Sequence, residues 1–249
     1  MDDATQTKMD NLPTLDKKPQ PIWLIFTTLF WAVTLVIIPG AVIGYAFSIY
    51  ADANNIVDTV KWFGQIEVMM VMTFFIYFIT LPMIIGLTKF SAQSQSIFVY
   101  LNIKPAHRGD IIKVVVMSTI FWGLLTLGGM ILNLPEEPFM LELKQSSLPI
   151  WFISLTVCVM APIIEEVACR GFLFKRFQQS ILGISGAVVI TSLLFTSLHT
   201  QYEIVGLSMV FIMALYFSWL RVNTNNTSLC IIGHAMCNGL TLIALYWFT

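Results

Sequence analysis

Residues 22–50 read IWLIFTTLFWAVTLVIIPGAVIGYAFSIY, a run without a single charged side chain. A transmembrane helix needs about 20 apolar residues, because the hydrocarbon core of a bilayer is about 30 Å thick and each helical residue rises about 1.5 Å. The run exceeds that length, and its Pro39-Gly40 step is expected to kink or end the helix. This stretch predicts a membrane-spanning helix.

Six further apolar runs follow along the chain. They cover residues 68–88, 114–135, 148–169, 181–201, 204–220 and 229–248. Only the run at 148–169 contains charged side chains, and these are two adjacent glutamates. The sequence therefore predicts an all-α polytopic membrane protein with about seven transmembrane helices, within a range of six to eight, packed in one bundle.

Composition supports the same class. Of 249 residues, 57% are hydrophobic and 11% are charged, whereas a water-soluble domain carries about 25% charged residues. The 13 Lys and Arg and the 14 Asp and Glu leave a formal charge of −1, which provides no basic field for nucleic acid. The lipid bilayer is thus an expected partner, and nucleic acid is not.

The organisation follows from the charged residues between the runs. Residues 1–21 contain three prolines and no large apolar cluster, so they are expected to form a disordered cytoplasmic tail before a single membrane domain at 22–249. The N-terminus is predicted to be cytoplasmic because basic residues prefer that side. Seven alternating spans place eleven basic residues on one side (Lys8, Lys17, Lys18, Lys89, Lys104, Arg108, Lys113, Arg170, Lys175, Arg176, Arg221) and two on the other (Lys61, Lys144).

Six polar residues are predicted to lie at membrane depth. They are Glu165, Glu166, Arg170, His199, His234 and Asn238. A carboxylate near the bilayer centre costs about 2.5–3.5 kcal/mol, so two adjacent glutamates indicate a function. Because all six fall in the second half, we interpret residues 148–249 as a catalytic half and residues 22–147 as supporting helices.

The spacing of these residues assigns them to helix faces. Glu166 and Arg170 are separated by four residues and share a face, which favours an ion pair. Glu165 points about 100° away, which leaves its carboxylate available as a base. His234 and Asn238 also share a face, and an imidazole beside a carboxamide can donate hydrogen bonds to a developing oxyanion.

Three motifs in this order resemble those of a known family. Residues 165–170 (EEVACR) match EExxxR, residues 195–199 (FTSLH) match FxxxH, and residues 234–238 (HAMCN) match HxxxN. The chain resembles the CPBP family of CAAX proteases and bacteriocin-processing enzymes, also called Abi, which are polytopic intramembrane endopeptidases. The resemblance covers about the last hundred residues, and the combination of three ordered motifs is more specific than any one of them.

The resemblance implies peptide hydrolysis by an activated water. Glu165 with His199 would polarise the water, Arg170 would hold Glu166, and His234 with Asn238 would stabilise the oxyanion. The substrate would be a CaaX-type tail or a leader peptide on a membrane-associated protein, with or without a lipid group. The oligomeric state is left open.

Metal dependence is a second open point. The family has been described both as metalloproteases and as metal-independent glutamic proteases, and Glu165, His199 and His234 would form a zinc ligand set. We expect no cofactor, because Asn238 beside His234 suits an oxyanion donor better than zinc. Cys230, His234 and Cys237 share a helix face and form a weaker candidate metal set.

Two other functions remain as alternatives. Residues 183–186 (GISG) match the GxSG of rhomboid serine proteases, with Ser185 as nucleophile and His234 as base. A membrane scaffold or bacteriocin-immunity protein could use the same polar cluster only to hold helices together.

The residues also have purely structural interpretations. Glu165 and Glu166 could cap a helix that begins after Pro162, and Arg170 could belong to a cytoplasmic basic cluster. His199 could be an interfacial residue at the end of its span. In addition, helices that start at one level would leave His199 and His234 about 15 Å apart in depth.

Overall fold

The computed structural model describes residues 22–247, and these residues form ten helices and no strand. The predicted tail at 1–21, three of the basic residues counted for orientation and Phe248 lie outside this part of the chain. The helices are α1 (Trp23–Ala53), α2 (Thr59–Phe63), α3 (Ile66–Ala92), α4 (Ile97–Tyr100), α5 (Arg108–Ile131), α6 (Pro138–Gln145), α7 (Ile150–Gln179), α8 (Gly183–Ser197), α9 (Ile204–Thr224) and α10 (Thr227–Trp247). The prediction of an all-α polytopic membrane protein is confirmed.

Six of these helices are long and apolar enough to cross a membrane, namely α1, α3, α5, α7, α9 and α10. The predicted fifth span, 181–201, is the one that differs. Its helix α8 has 15 residues, about 22 Å, because it begins at Gly183, which has a φ of +58°, and ends at Ser197. The count of seven holds only if this shorter apolar helix is included.

Helix α7 is longer than the predicted span of 148–169 because it continues through Arg176 to Gln179. The guanidinium of Arg176 donates hydrogen bonds to Thr27 and Thr28 of α1 and to Ser91 of α3, which compensates for its partial burial. The helix therefore continues past Arg170, the charged residue before which the predicted span ended.

Helix α7 also contains two π-helical segments, Leu155–Met160 and Val167–Leu173. Between them lies the short α-helical stretch Ala161–Glu166, which carries both glutamates. The interpretation of these glutamates as caps of a helix that begins after Pro162 is therefore wrong. Segments of π-helix are uncommon and occur often at functional sites.

Two arginines that were counted as loop cations are buried. Arg170 is 0% exposed and Arg221 is 2% exposed. Arg221 donates from Nε to the carbonyl of Arg170 at 2.9 Å, and its Nη1 donates to Asn225. The interpretation of Arg170 as part of a cytoplasmic basic cluster is wrong, because its charge lies inside the bundle.

The turn between α9 and α10 explains how the two halves of the site meet. Thr227, the first residue of α10, donates from N to Asn102 at 2.8 Å and from Oγ1 to Leu101 at 2.6 Å. Gly171 of α7 packs against the same Leu101, and a Cβ there would lie 3.2 Å from its Cδ2. Gly171 lies about two helical turns before the end of α7, and α8 begins just after that end. Because Leu101 contacts both Gly171 and Thr227, α10 begins deeper in the bundle than α8 does. The expected difference in depth between the two histidines is reduced accordingly.

A close helix approach follows in α10. A Cβ on Gly233 would lie 2.7 Å from Leu220 of α9 and 3.1 Å from Ser118 of α5. Only glycine fits this contact without displacing a neighbour. The approach places the next residue, His234, inside the bundle at 3% exposure.

Candidate active site

A cavity of about 750 Å³ lies between α1, α3, α6, α7, α8, α9 and α10. Most of its lining side chains are apolar. Four of the six predicted site residues border it, and they are Glu165, His199, His234 and Asn238. The other two, Glu166 and Arg170, lie behind this wall and are fully buried. The predicted division between an available glutamate and a held glutamate is thus present in the geometry.

Glu166 is the centre of a buried charge network. Its Oε1 accepts hydrogen bonds from Nη1 of Arg170 at 3.1 Å and from Nδ1 of His234 at 3.0 Å. The predicted ion pair between Glu166 and Arg170 is confirmed. Arg170 also donates from Nη2 to the carbonyl of Ala214 in α9 at 2.8 Å. The network therefore joins α7, α9 and α10.

Glu165 has a different partner. Its Oε1 accepts a hydrogen bond from the hydroxyl of Tyr77 at 2.9 Å. Within residues 22–247, no hydrogen bond joins Glu165 to either histidine. The carboxylate thus borders the cavity with a neutral donor beside it and without an ion pair.

His199 lies just beyond α8, in the connection to α9. Its Nδ1 is 2.8 Å from the carbonyl oxygen of Phe195. Because a carbonyl can only accept, Nδ1 donates this hydrogen bond, and in the neutral form of the ring Nε2 is then the acceptor. The imidazole stacks on Tyr202 with 6.0 Å between ring centroids and an interplanar angle of 8°. His199 thus lies after the end of the apolar helix, as the structural interpretation of this residue assumed, but it also borders the cavity.

Phe195 contacts all three basic groups of the site. Its ring centroid lies 4.7 Å from that of His199 and 5.7 Å from that of His234. The guanidinium carbon of Arg170 lies 4.7 Å from the same ring centroid. Both histidines therefore contact the same phenyl ring, and the face of this ring stabilises the positive charge of Arg170.

His234 and Asn238 take their positions from α10. Because the Glu166 carboxylate accepts, Nδ1 of His234 carries a hydrogen and Nε2 is left for another partner. Asn238 donates from Nδ2 to the carbonyl of Val157 at 2.8 Å, within the first π-helical segment of α7. One of its two amide hydrogens is thus used, and the second remains available.

Sequence reasoning missed two tyrosines that border the cavity, Tyr77 and Tyr202. Tyr77 lies within the apolar run of α3, where a phenol reads as one more aromatic side chain. Tyr202 lies in the polar connection that follows His199, and its hydroxyl contacts the sulfur of Met140 in α6 at 3.7 Å. Burial, with smaller contributions from the carboxylates of Glu137 and Glu165, raises the pKa of Tyr202 to about 12, so the phenol stays protonated.

The described residues do not form a preassembled cluster of metal ligands. Among residues 22–247, no three His, Cys, Asp or Glu side chains converge as metal ligands. This covers the candidate zinc set of Glu165, His199 and His234 and the second set with Cys230 and Cys237. The guanidinium of Arg170 is also bound to the carboxylate that His234 contacts, and a positive charge there disfavours a cation.

The rhomboid-like pairing of Ser185 with His234 is not present. Ser185 lies exposed in the first turn of α8, and it does not border the cavity to which His234 contributes. Since a nucleophile and its base act within hydrogen-bond distance, these two residues cannot act together in this structure.

Comparison with known proteins agrees with the three motifs. Residues 146–240 match the sequence model of a family described as "Type II CAAX prenyl endopeptidase Rce1-like". The resemblance to CAAX proteases is thereby confirmed over this region. No solved structure matches the chain significantly.

Two curated relatives match parts of the chain. An Escherichia coli protein described as "Uncharacterized 24.3 kDa protein" is 31% identical over 131 residues, which is 51% of this chain and 60% of the relative. The UPF0177 protein YbdI of Lactococcus lactis subsp. lactis (strain IL1403) is 38% identical over 56 residues, which is 22% of this chain and 29% of the relative. The chain therefore spans less than two thirds of either relative.

Proposed function

We propose that this chain, which is Rce1-like over residues 146–240, is an intramembrane endopeptidase that hydrolyses a peptide bond with a water activated by Glu165 and His199. One observation carries the proposal. Glu165 and His199 border the same cavity, while the adjacent Glu166 is compensated by Arg170 and is held away from it. This chemistry requires a carboxylate that can accept a proton from water, and Glu165 is the carboxylate of the pair that is not occupied by a cation.

In this proposal, Glu165 is the general base. It takes a proton from water as the water oxygen bonds to the scissile carbonyl carbon, and it returns the proton to the leaving nitrogen when the C–N bond breaks. His199 orients the water through Nε2, because its Nδ1 is committed to the carbonyl of Phe195. The apolar lining limits access of other water molecules and strengthens these contacts.

The second function of the site is to stabilise the oxyanion. Asn238 supplies its free amide hydrogen, and His234 supplies Nε2–H when its imidazole carries both protons. The carboxylate of Glu166, 3.0 Å from Nδ1, compensates the charge of that imidazolium. Donors of this kind contribute about 2.7–4 kcal/mol each to the transition state in other hydrolases.

The proposed substrate is a CaaX-type tail or a leader peptide of a membrane-associated protein, with or without a lipid. Its apolar part would enter the cavity, whose lining includes apolar side chains of α1 and α3. The test compares the protein termini in membranes of cells that express the chain with those in cells that lack it. New C-termini or N-termini are expected on a small set of membrane proteins, and an unchanged set would contradict the proposal.

Chelation is expected to leave the hydrolysis rate unchanged. The reason is that no three ligand side chains converge among residues 22–247, so the proposed chemistry uses only protein groups. The measurement is the rate of the purified protein on a cleaved peptide, with and without 1,10-phenanthroline, and thermolysin serves as the positive control. Loss of activity that added zinc restores would contradict a glutamic mechanism.

The second candidate function is a membrane scaffold or bacteriocin-immunity protein. It is favoured by the Glu166 network, which joins three helices in the way that a purely structural polar cluster does. This function does not require Glu165, whose replacement therefore separates the two candidates.

We also propose that the N-terminus is cytoplasmic. After the two buried arginines are removed from the count, six basic residues remain on that side within residues 22–247, and four of them, Lys89, Lys104, Arg108 and Lys113, are exposed. Lys61 and Lys144 are the basic residues assigned to the other side. The excess supports the predicted orientation.

A further inference from the structure

The hydrogen bond between Tyr77 and Glu165 joins the two halves of the chain at the site. The hydroxyl of Tyr77 lies 2.9 Å from Oε1 of Glu165, across 88 residues of sequence. Tyr77 is part of α3 and lies outside the region 146–240 that matches the family. The reaction described above does not use it.

The two adjacent glutamates have partners of different charge. Glu166 is bound by a guanidinium and an imidazole, whereas Glu165 is bound by a neutral phenol. A cation at Glu165 would lower its ability to accept a proton. A neutral hydroxyl stabilises the carboxylate without an ion pair, and it occupies only one of the two oxygens.

The phenol is also fixed in place. Tyr77 packs against the buried cluster that contains Ile84, Phe172 and Phe195, so its hydroxyl is presented by a rigid helix rather than a loop. Among the described residues, a hydrogen bond is present only at Oε1 of Glu165, and both Glu165 and Tyr77 border the cavity. Such fixation of a base matters because small displacements reduce rates strongly.

We propose that Tyr77 is a positioning residue that holds the Glu165 carboxylate in one orientation through Oε1, with Oε2 available to the attacking water. This inference rests on the proposed function, because it assigns to Glu165 the role of base. It also gives the first half of the chain a part in the chemistry.

The first measurement is the kinetics of Tyr77→Phe, which removes only the hydroxyl. A hydrogen bond to a charged group is worth enough that kcat is expected to fall about 10- to 100-fold, with KM changed by less than about twofold. In a Glu165→Gln background, Tyr77→Phe is expected to cause little further loss, because the two changes remove one unit. Tyr216→Phe is the matched control, since its hydroxyl is 2.9 Å from Ser118 Oγ and it does not border the cavity.

The second measurement does not depend on activity. Dicyclohexylcarbodiimide reacts with protonated carboxyl groups in apolar surroundings: the acid proton moves to a carbodiimide nitrogen, and the carboxyl oxygen bonds to the central carbon. Without the phenol, Oε1 of Glu165 loses its hydrogen-bond donor and the side chain is no longer held, so its labelling is expected to be several-fold faster in Tyr77→Phe. Glu166, paired with Arg170, is the internal control in the same mass spectrum.

The outcomes separate this inference from the proposed function. Equal labelling rates in the wild type and in Tyr77→Phe would overturn the inference, and so would an unchanged kcat. Faster labelling of Glu165, together with a wild-type chain that cleaves no peptide, would overturn the proposed function and would leave the contact between Tyr77 and Glu165 established. A loss in Tyr216→Phe equal to that in Tyr77→Phe would indicate a general effect on packing and would also overturn the inference.

Discussion

Replacing Glu165 by glutamine is expected to lower kcat by a factor of about 10²–10⁴, the usual contribution of a general base. Glutamine keeps the shape of the side chain and can still accept the hydrogen bond from Tyr77. It cannot take a proton from water at neutral pH. Since the Glu166 network is untouched, the variant is expected to insert and to unfold like the wild type. The measurement is the rate of peptide cleavage together with an unfolding curve in detergent.

Glu142→Gln is the control for this prediction. Glu142 lies exposed on α6 and does not border the cavity, so its replacement is expected to leave the rate unchanged. A Glu165→Gln variant that cleaves as fast as the wild type would refute the role of Glu165 as base. An immunity or scaffolding phenotype that survives the replacement would favour the second candidate function.

Replacing Arg170 by methionine is expected to lower the free energy of unfolding by about 3–5 kcal/mol, which is the usual cost of removing one partner from a buried ion pair. Arg170 and Glu166 are both 0% exposed, so no solvent can replace the lost contact. The carboxylate of Glu166 would keep only His234 as a partner. Unfolding in sodium dodecyl sulfate provides the measurement.

A double variant distinguishes loss of charge balance from loss of packing. Glu166→Gln combined with Arg170→Met removes both charges and leaves an acceptor for His234, so most of the lost stability is expected to return. Arg108→Met, at the exposed start of α5, is the control and is expected to have little effect. If Arg170→Met unfolds like the wild type, the network does not contribute to stability as argued.

Local spacing accounts for the part of the site that the sequence could predict. The pair of Glu166 and Arg170 and the contact of Phe195 with His199 both join residues that are four apart in sequence, the spacing of one helix face. His199 keeps this contact although it lies just beyond the end of α8 at Ser197. The same holds for the helical fold, which follows from the length of the apolar runs.

Contacts between distant segments could not be predicted in this way. The hydrogen bond from His234 to Glu166 spans 68 residues, and that from Tyr77 to Glu165 spans 88 residues. Both depend on how helices pack and on the level at which α10 begins, and single-helix periodicity contains no information on either. Whether Asn238 and His234 act as oxyanion donors stays a prediction.

Helix boundaries were predicted less well because charge was taken as a marker of the membrane surface. Arg176 and Arg221 show where this rule fails, since both are bonded within the bundle. Arg176 finds three hydroxyl acceptors on neighbouring helices, and Arg221 finds a backbone carbonyl. A paired cation can lie inside a helix that an unpaired cation would end.

The direction in which Glu165 and Glu166 point depends on the number of residues in the π-helical segment that precedes them, Leu155–Met160. A π-helical segment contains one residue more than the α-helical turn it replaces. Each segment therefore rotates the side chains that follow it in the helix by about 100° relative to an uninterrupted α-helix. Substitutions change which side chain stands at a position, but they leave this rotation in place. Insertion or deletion of one residue within Leu155–Met160 changes the direction of both glutamates in a single step, and one within Val167–Leu173 changes their direction relative to the residues that follow Leu173. The direction of the two carboxylates can therefore change without any change in the motif itself. Two chains that both contain EExxxR can still differ in the direction in which these glutamates point.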